Sequence, residues 1–500
     1  MNDSEFDYDV VGVGLGPFNL SLAALLEEAG TRAGASSADS REPSRDRRPP
    51  RALFLEARRR FDWHPGMILP GTTLQVPFLA DLVTMAAPTS RFSFLNYLHE
   101  HGRLYHFYFY ENFKIFRKEN NLNCRWVSER LSSNRFGARV TDVRRETRTD
   151  AEAGLEYEAY RIFFTDEGSG RVDSVSAKHV VLGYGTRPTM PPCAREVRGP
   201  GVFHTAQFAA NRAHLKRARR VVVIGGGQSA GECVLDILRT QRDTELHWYT
   251  RGQGFLPMEY SKLGLEFFSP EYIDYFHALP RETRDRLRAG QDLFYKGISA
   301  DTIAEIYDEL YERSLDPGAS QPLLMAGVEL RDVRAVGEAV ARQDGEGAHD
   351  YLLELRHGEQ QTVFADSADV LVLGTGYEHA LPAFLDNLTS GLALDEHGRL
   401  QISRDYRALG KANAPGESGA GPTNIFVQNG EIHTHGIGAP DLGLGAYRAA
   451  TIANSLLGRE QYRIRENNVF QRFGIRQSPK TESFARRPDL VSAENQGSKL

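Results

Sequence analysis

Asp9-Val10-Val11-Gly12-Val13-Gly14-Leu15-Gly16-Pro17-Phe18-Asn19, followed by Leu20-Ser21-Leu22-Ala23-Ala24-Leu25-Leu26, reads as a strand, a glycine turn and a buried helix. The same grammar returns at Arg220-Val221-Val222-Val223-Ile224-Gly225-Gly226-Gly227-Gln228-Ser229-Ala230-Gly231-Glu232. Two such units predict an α/β chain with two Rossmann-like dinucleotide-binding domains, because glycines at these positions permit a tight turn and let backbone approach a pyrophosphate. The following helix aims its positive N-terminus at that charge. Gly12, Gly14 and Gly16 serve the first loop, although Pro17 stands where the third glycine of G-x-G-x-x-G belongs; the shifted form Gly14-x-Gly16-Pro17-x-Asn19 is present instead. Glu56 closes the next apolar run, placed to accept from a ribose hydroxyl. In the second loop, Gly225 and Gly227 are followed by Ala230, and the next strand ends on Arg251, which suits a 2′-phosphate. The first loop is therefore expected to hold FAD and the second NADPH. Val370-Leu371-Val372-Leu373 running into Gly374-Thr375-Gly376-Tyr377 is read as the strand and turn that return the chain to the first lobe.

Working outward, 500 residues exceed one core. Sixty Lys+Arg against sixty-six Asp+Glu give a net charge of -6 without a long block of one sign, which argues against nucleic acid. The start, Met1 to Asp7, is acidic and has no signal-peptide pattern, and no apolar run has the length of a membrane span, so a cytoplasmic protein without membrane contact is expected. Cys124, Cys193 and Cys233 are far apart and form no C-x-x-C. The stretch Thr31 to Arg51, rich in Arg, Ser, Pro and Asp, reads as a disordered insertion in the first βαβ unit, and 476–500 as a frayed tail. Residues 255–320 turn Tyr-, Phe- and charge-rich with helical composition.

Resemblance makes this specific. Asp62-Trp63-His64-Pro65-Gly66-Met67, Leu74-Gln75-Val76-Pro77-Phe78-Leu79-Ala80-Asp81-Leu82-Val83, Pro88-Thr89-Ser90, Phe94-Leu95-Asn96-Tyr97-Leu98, His433-Thr434-His435-Gly436 and Asp441-Leu442-Gly443-Leu444 resemble the lysine/ornithine N-monooxygenase family. In that family Gly14-Leu15-Gly16-Pro17-Phe18-Asn19 is the expected loop. The resemblance implies an FAD domain over 1–200 and 368–475, an NADPH domain over 201–254 and 321–367, and a small, mainly helical substrate region over 255–320. It implies siderophore-pathway N-hydroxylation of a small-molecule amine with O2, by way of a C4a-hydroperoxyflavin, in a homo-oligomer (dimer or tetramer). By placement, Gln75 and Ser229 are candidate catalytic residues. Trp63, His64, Gln75, Leu442 and Gly443 are expected near the flavin, Gln228 and Ser229 at the NADP phosphate or ribose.

Within the family, the amino-acid hydroxylases carry a lysine where this chain has Ala80, and that lysine clamps the substrate carboxylate. The asparagines that hold the α-groups of ornithine fall near Leu265 and Gly297. An apolar replacement suits a diamine, since a clamp without its carboxylate is an unpaired charge. The segments Pro257 to Glu266 and Lys296 to Asp301 look most like cadaverine/putrescine N-hydroxylases of desferrioxamine-type pathways. Glu259, Glu266 or Asp301 could anchor the distal ammonium, and Arg91 could replace the missing lysine from another direction if the substrate were lysine or ornithine. The amine must react neutral, so the site must desolvate it or offer a base. His433 and His435 alternate on a loop and complete no metal set. A disulfide reductase would need a reactive cysteine pair. A Baeyer–Villiger enzyme would need its F-x-G-x-x-x-H-x-x-x-W signature, of which Gly201-Val202-Phe203-His204 is a partial echo. A non-catalytic flavin-binding module is the rival from another class.

Overall fold

The computed structural model describes residues 6–36, 50–149, 156–197, 199–336, 349–411 and 421–475. The first glycine unit forms strand β1 (Tyr8–Val13) and helix α1 (Pro17–Ser36). α1 thus continues six residues into the stretch expected to be disordered; the rest of that insertion, 37–49, lies outside the described residues, as does the tail at 476–500. Arg51 re-enters by donating its backbone N–H to the Asp9 carboxylate at 2.7 Å.

β1 pairs in parallel with β2 (Ala52–Glu56) and β8 (Val172–Leu182); β5 (Asn134–Phe136) extends one side and β20 (Pro422–Val427) with antiparallel β19 (Arg407–Leu409) the other. β6 (Ala138–Thr149) and β7 (Glu156–Asp166) lead into β8 as an antiparallel meander. Alternation splits β1 between two cores: Val10 packs with α1 residues Leu22 and Leu25, while Val11 and Val13 face Ile162, Leu182 and Ile425. Continuous apolar strands of this kind belong in a sheet covered on both faces.

A short ribbon of β3 (Thr73–Pro77) and β4 (Lys114–Phe116) stands beside this sheet, with α2 (Phe94–Glu100), α3 (Leu104–Tyr110) and α4 (Arg117–Ser128) around it. The chain then pairs β9 (Arg187–Pro188) with β18 (Tyr377–Glu378), a two-stranded crossing where it leaves and re-enters the first sheet's side.

The second glycine unit builds an all-parallel sheet ordered β10 (Val202–His204), β17 (Val370–Leu373), β11 (Arg220–Ile224), β12 (Glu245–Tyr249), β13 (Leu323–Met325). β17 therefore belongs to the second sheet. The boundary expected at 368 falls one strand early, because Val370 to Leu373 are buried between β10 and β11, and the chain leaves this sheet after Leu373. A four-residue helix, α5 (Arg212–Leu215), precedes β11, and α6 (Gln228–Thr240) follows it. A meander of β14 (Val328–Ala335), β15 (Tyr351–His357) and β16 (Thr362–Ala368) packs on the other face. The region between β12 and β13 holds α7 (Lys262–Leu265), α8 (Pro270–Ala278), α9 (Arg281–Gly290) and α10 (Ala300–Ser314), helical as expected.

Candidate active site

Each dinucleotide loop touches the far strand end of its own sheet. Gly14 has φ +82°, and a Cβ there would stand 2.5 Å from the Gly183 carbonyl oxygen; Gly225 has φ +136°, and its Cβ would stand 2.1 Å from that of Gly374. Leu182-Gly183-Tyr184-Gly185 after β8 thus echoes Leu373-Gly374-Thr375-Gly376 after β17, a repeat that single-loop reading missed. Gly12 is fixed by packing, since its Cβ would run into the Phe54 ring at 2.1 Å, whereas nothing lies within 4 Å of a Cβ on Gly16. Gly16 is where another molecule can approach the backbone.

Glu56 accepts from the Leu15 N–H at 2.8 Å and the Arg58 N–H at 2.9 Å, so it sits against the loop it was expected to serve. Asn19 is a brace under that loop rather than a free ligand: its amide donates to the Gly14 carbonyl at 2.7 Å and its oxygen accepts from Gln428 at 2.6 Å. Pro17 opens α1, where no acid in the first turn opposes a phosphate. On the ribbon, the Gln75 side-chain oxygen is buried without a donor, and on α4 the amide nitrogens of Asn120 and Asn123 are buried without an acceptor. Open backbone at Gly16, an acid-free helix start and an orphaned Gln75 acceptor together fit a bound dinucleotide whose ring carries N–H groups.

Trp63 and His64 meet edge to face at 4.7 Å, and His64, at φ 47°, reaches Tyr377 at 5.7 Å. His64 is exposed at its surface, and partial desolvation, with Arg117 and Arg58 nearby, lowers its imidazole below the ordinary value, neutral at pH 7. Gly376 accepts at its carbonyl from His204 at 3.0 Å, Thr375 donates to Thr189 at 2.5 Å, and Tyr377 packs on His204 at 5.1 Å, joining the two lobes.

In the second loop, Gly227 caps α6 with no side-chain cap and no acid in the first turn, leaving its N–H groups for an anion. Ser229 sits beside it, accepting from Thr205 at 3.4 Å, and Arg251 is exposed two residues past β12. Gln228 is otherwise engaged: its amide donates to Glu232 (3.0 Å) and Thr302 (3.1 Å) and its oxygen accepts from the Ser299 N–H (2.7 Å). It ties α6 to the start of α10. Glu232 also takes both guanidinium nitrogens of Arg117, each at 2.7 Å, with exposures of only 3% and 12%. This clamp between the start of α4 and α6 carried no sequence signal, because its partners are 115 residues apart.

The substrate candidates divide. Ala80 is buried in a recess with Pro17, Phe18, Asp81, Leu442 and Gly445, and a Cβ on Gly443 would lie 3.9 Å from its own. Leu442 and Gly443 thus stand beside Ala80 at the start of α1. A Cβ on Gly297 would crowd the Met258 backbone nitrogen at 2.6 Å, so that position is closed by packing. Leu265 is exposed on α7. The three acids have other duties: Glu259 accepts from the Ser261 N–H at 2.7 Å, Glu266 from the Phe470 and Gln471 N–H groups at 3.0 and 2.8 Å, and Asp301 pairs with Lys114 at 2.8 Å. Arg91 lies over Phe92 and pairs with Glu27 at 3.8 Å. His433 and His435 turn a nitrogen to the carbonyls of Leu400 and Arg404.

Two carboxylates stand at the recess: Asp81, which lines it and accepts from the N–H groups of Val83, Thr84 and Phe94, and Asp441, the neighbour in sequence of the lining residue Leu442. Asp441 Oδ1 accepts from the Gly443 N–H at 2.7 Å, and burial pushes the Asp441 carboxyl up to about 6. Burial pushes the Tyr260 hydroxyl up, and the Asp441 charge raises it further.

Residues 7–379 match the sequence profile of L-lysine 6-monooxygenase/L-ornithine 5-monooxygenase. The chain belongs to this family. It is 40% identical over 468 residues to putrescine N-hydroxylase of Shewanella oneidensis, covering 93% of this chain and 84% of that one. It is 30% identical to L-lysine N6-monooxygenase of Escherichia coli, over 91% and 95% of the two chains. Among solved structures it superposes on FAD-bound DfoA, the desferrioxamine-pathway cadaverine monooxygenase of Erwinia amylovora, with a TM-score of 0.80, 36% identity and coverage of 94% and 99%. The resemblance read from the sequence blocks is borne out.

Proposed function

We propose that this protein is an FAD- and NADPH-dependent N-hydroxylase of a diamine, putrescine or cadaverine, acting in hydroxamate siderophore biosynthesis. The observation that carries the substrate is Ala80 in the recess beside Leu442 and Gly443, with no cation among the residues lining it. An amino-acid substrate brings a carboxylate that needs a positive partner in a site of low dielectric; a diamine does not. The relatives named for diamines share 40%, 36% and 32% identity, against 30% for the Escherichia coli enzyme named for lysine.

We assign FAD to the first sheet and NADPH to the second, with Glu56 toward the flavin's ribose and Arg251 toward the 2′-phosphate. Bound together, the two supply electrons and activated oxygen for amine oxidation. The chain does the rest. The α1 and α6 N-termini hold pyrophosphates, Gln75 orients the ring that meets its orphaned oxygen, and apolar Ala80 and Leu442 exclude water. Asp441 Oδ2 takes the proton that the reacting ammonium must lose before its lone pair is available. Among the described residues no helix is long and apolar enough to cross a membrane; we place the enzyme in the cytoplasm, where NADPH is made.

The test is stoichiometry: purified protein with FAD, NADPH and air converts a diamine to its hydroxylamine with NADPH consumed in step. Ala80→Lys then moves preference toward L-lysine or L-ornithine. An unchanged ranking in that variant removes the argument from Ala80.

A further inference from the structure

Helix α3, Leu104-Tyr105-His106-Phe107-Tyr108-Phe109-Tyr110, has no buried residue, although it carries no Lys, Arg, Asp or Glu and five of its seven residues are aromatic. Tyr105 is 77% exposed, Tyr108 67%, Phe109 73%, and Phe113 on the following turn 64%. Phe107 alone turns inward, meeting Phe78 at 5.2 Å and Phe94 at 5.3 Å. The outward rings form one surface: Tyr105 and Phe109 lie 6.2 Å apart, Tyr108 and Phe109 5.3 Å. A helix of this composition left in water is unfavourable, and a patch of this size marks an interface.

We propose that this aromatic face is a twofold interface between two copies of the chain. At about 200 Å² per aromatic side chain, the exposed fractions of Tyr105, Tyr108, Tyr110, Phe109, Phe113 and Phe116 add to roughly 700 Å², close to the ~800 Å² each partner gives a stable interface. A patch of Tyr and Phe without formal charge is its own complement, as a twofold contact requires, since offset and edge-to-face ring pairs serve both sides equally. An anionic lipid surface would call for Lys and Arg around the rings. Of the basic residues around the rings, Arg103 is instead ion-paired with Glu119 and Lys114 with Asp301, a single exposed lysine, Lys118, follows Phe116, and the helix ends on exposed Glu111.

The position has a consequence for the recess. Phe78, against which both Phe107 and Phe113 pack, lies two residues before Ala80, so the face is the outer side of the wall that carries Ala80. Docking a second copy stiffens that wall.

Sedimentation velocity of the FAD-loaded full chain at micromolar concentration tests this. The wild type is expected at twice the 55.9 kDa chain mass or a higher even multiple. Tyr105→Glu/Phe109→Glu should halve that mass and raise the dissociation constant at least about a hundredfold, with an unchanged far-UV spectrum because neither side chain is buried. Tyr311→Glu, on α10 and 62% exposed, is the control and should not alter the mass. Independently of any variant, amide exchange over 104–116 in the wild type should slow as concentration rises. A monomeric wild type, or a double variant that keeps the wild-type mass, overturns the proposal. So does a monomer that pellets with anionic vesicles, which would give the face to a membrane. Diamine turnover by a monomer would leave the functional reading intact while sinking this one.

Discussion

At the scale of single residues, Gln75 and Asp441 are two groups near the candidate site whose surroundings ask for a partner. A buried acceptor without a donor is destabilising by roughly 1–3 kcal/mol, so Gln75 belongs to a complex rather than to the bare chain. Gln75→Leu should therefore leave Tm of the FAD-free protein equal or higher while weakening FAD about tenfold, read by fluorescence titration. Equal FAD affinity in both proteins would separate Gln75 from the flavin. For Asp441, burial raises the carboxyl to about 6, so it is ionised and able to take a proton only above that pH. kcat/KM for a diamine should fall as pH drops through about 6, and Asp441→Asn should lower it at least about tenfold at pH 7 and abolish that limb. A variant with wild-type rate and profile would leave Asp441 as a cap for Gly443 and nothing more. The acids picked from sequence, Glu259, Glu266 and Asp301, show why this level was hard to read: a carboxylate in a sequence does not say whether it will be spent on Ser261, on the 470–471 backbone or on Lys114.

At the scale of elements, the loops were legible because glycine is demanded by backbone geometry. The approach of Gly14 to Gly183 and of Gly225 to Gly374 rests on sheet register and only appears in three dimensions. The assignment of β17 erred for the same reason, since an apolar strand ending in glycines reads alike in either sheet. Two glycines of the first loop should behave oppositely. Gly14→Ala combines positive φ with a collision against the Gly183 backbone, and should destabilise the fold by about 2 kcal/mol or more. Gly16→Val meets open space, so the FAD-free protein should keep its Tm while FAD binding is lost. Calorimetry with flavin titration checks both, and a Gly16→Val protein that still loads FAD would contradict the placement of the cofactor there.

Across the whole molecule, the lobes are joined by the nearly buried Arg117–Glu232 pair. Arg117→Met strands a carboxylate and should cost about 3–5 kcal/mol, while Arg117→Met/Glu232→Gln should recover much of it, as measured by urea unfolding. Equal losses in the single and double variants would show that Arg117 matters by packing alone. Acid stability is set by buried histidines. His433 is held down to about 4 by burial, so between the ordinary 6.5 and 4 the unfolded chain binds the extra proton and stability falls with pH, by about 3 kcal/mol for this residue. Asp441 and Glu431, raised by burial, act with the opposite sign. His433→Gln keeps a donor for Leu400 and removes the titration, so its Tm should decline less steeply than wild type from pH 6.5 to 4.

The central claim is the substrate, and it is tested most directly by hydroxylamine formation with NADPH, FAD and air, comparing putrescine, cadaverine, L-lysine and L-ornithine at matched concentrations. The account predicts that kcat/KM for one of the diamines exceeds that for either amino acid by at least about tenfold, a difference of ~1.4 kcal/mol in transition-state binding. If L-lysine or L-ornithine is hydroxylated as well as or better than both diamines, the reading of Ala80 as a lost carboxylate clamp is wrong.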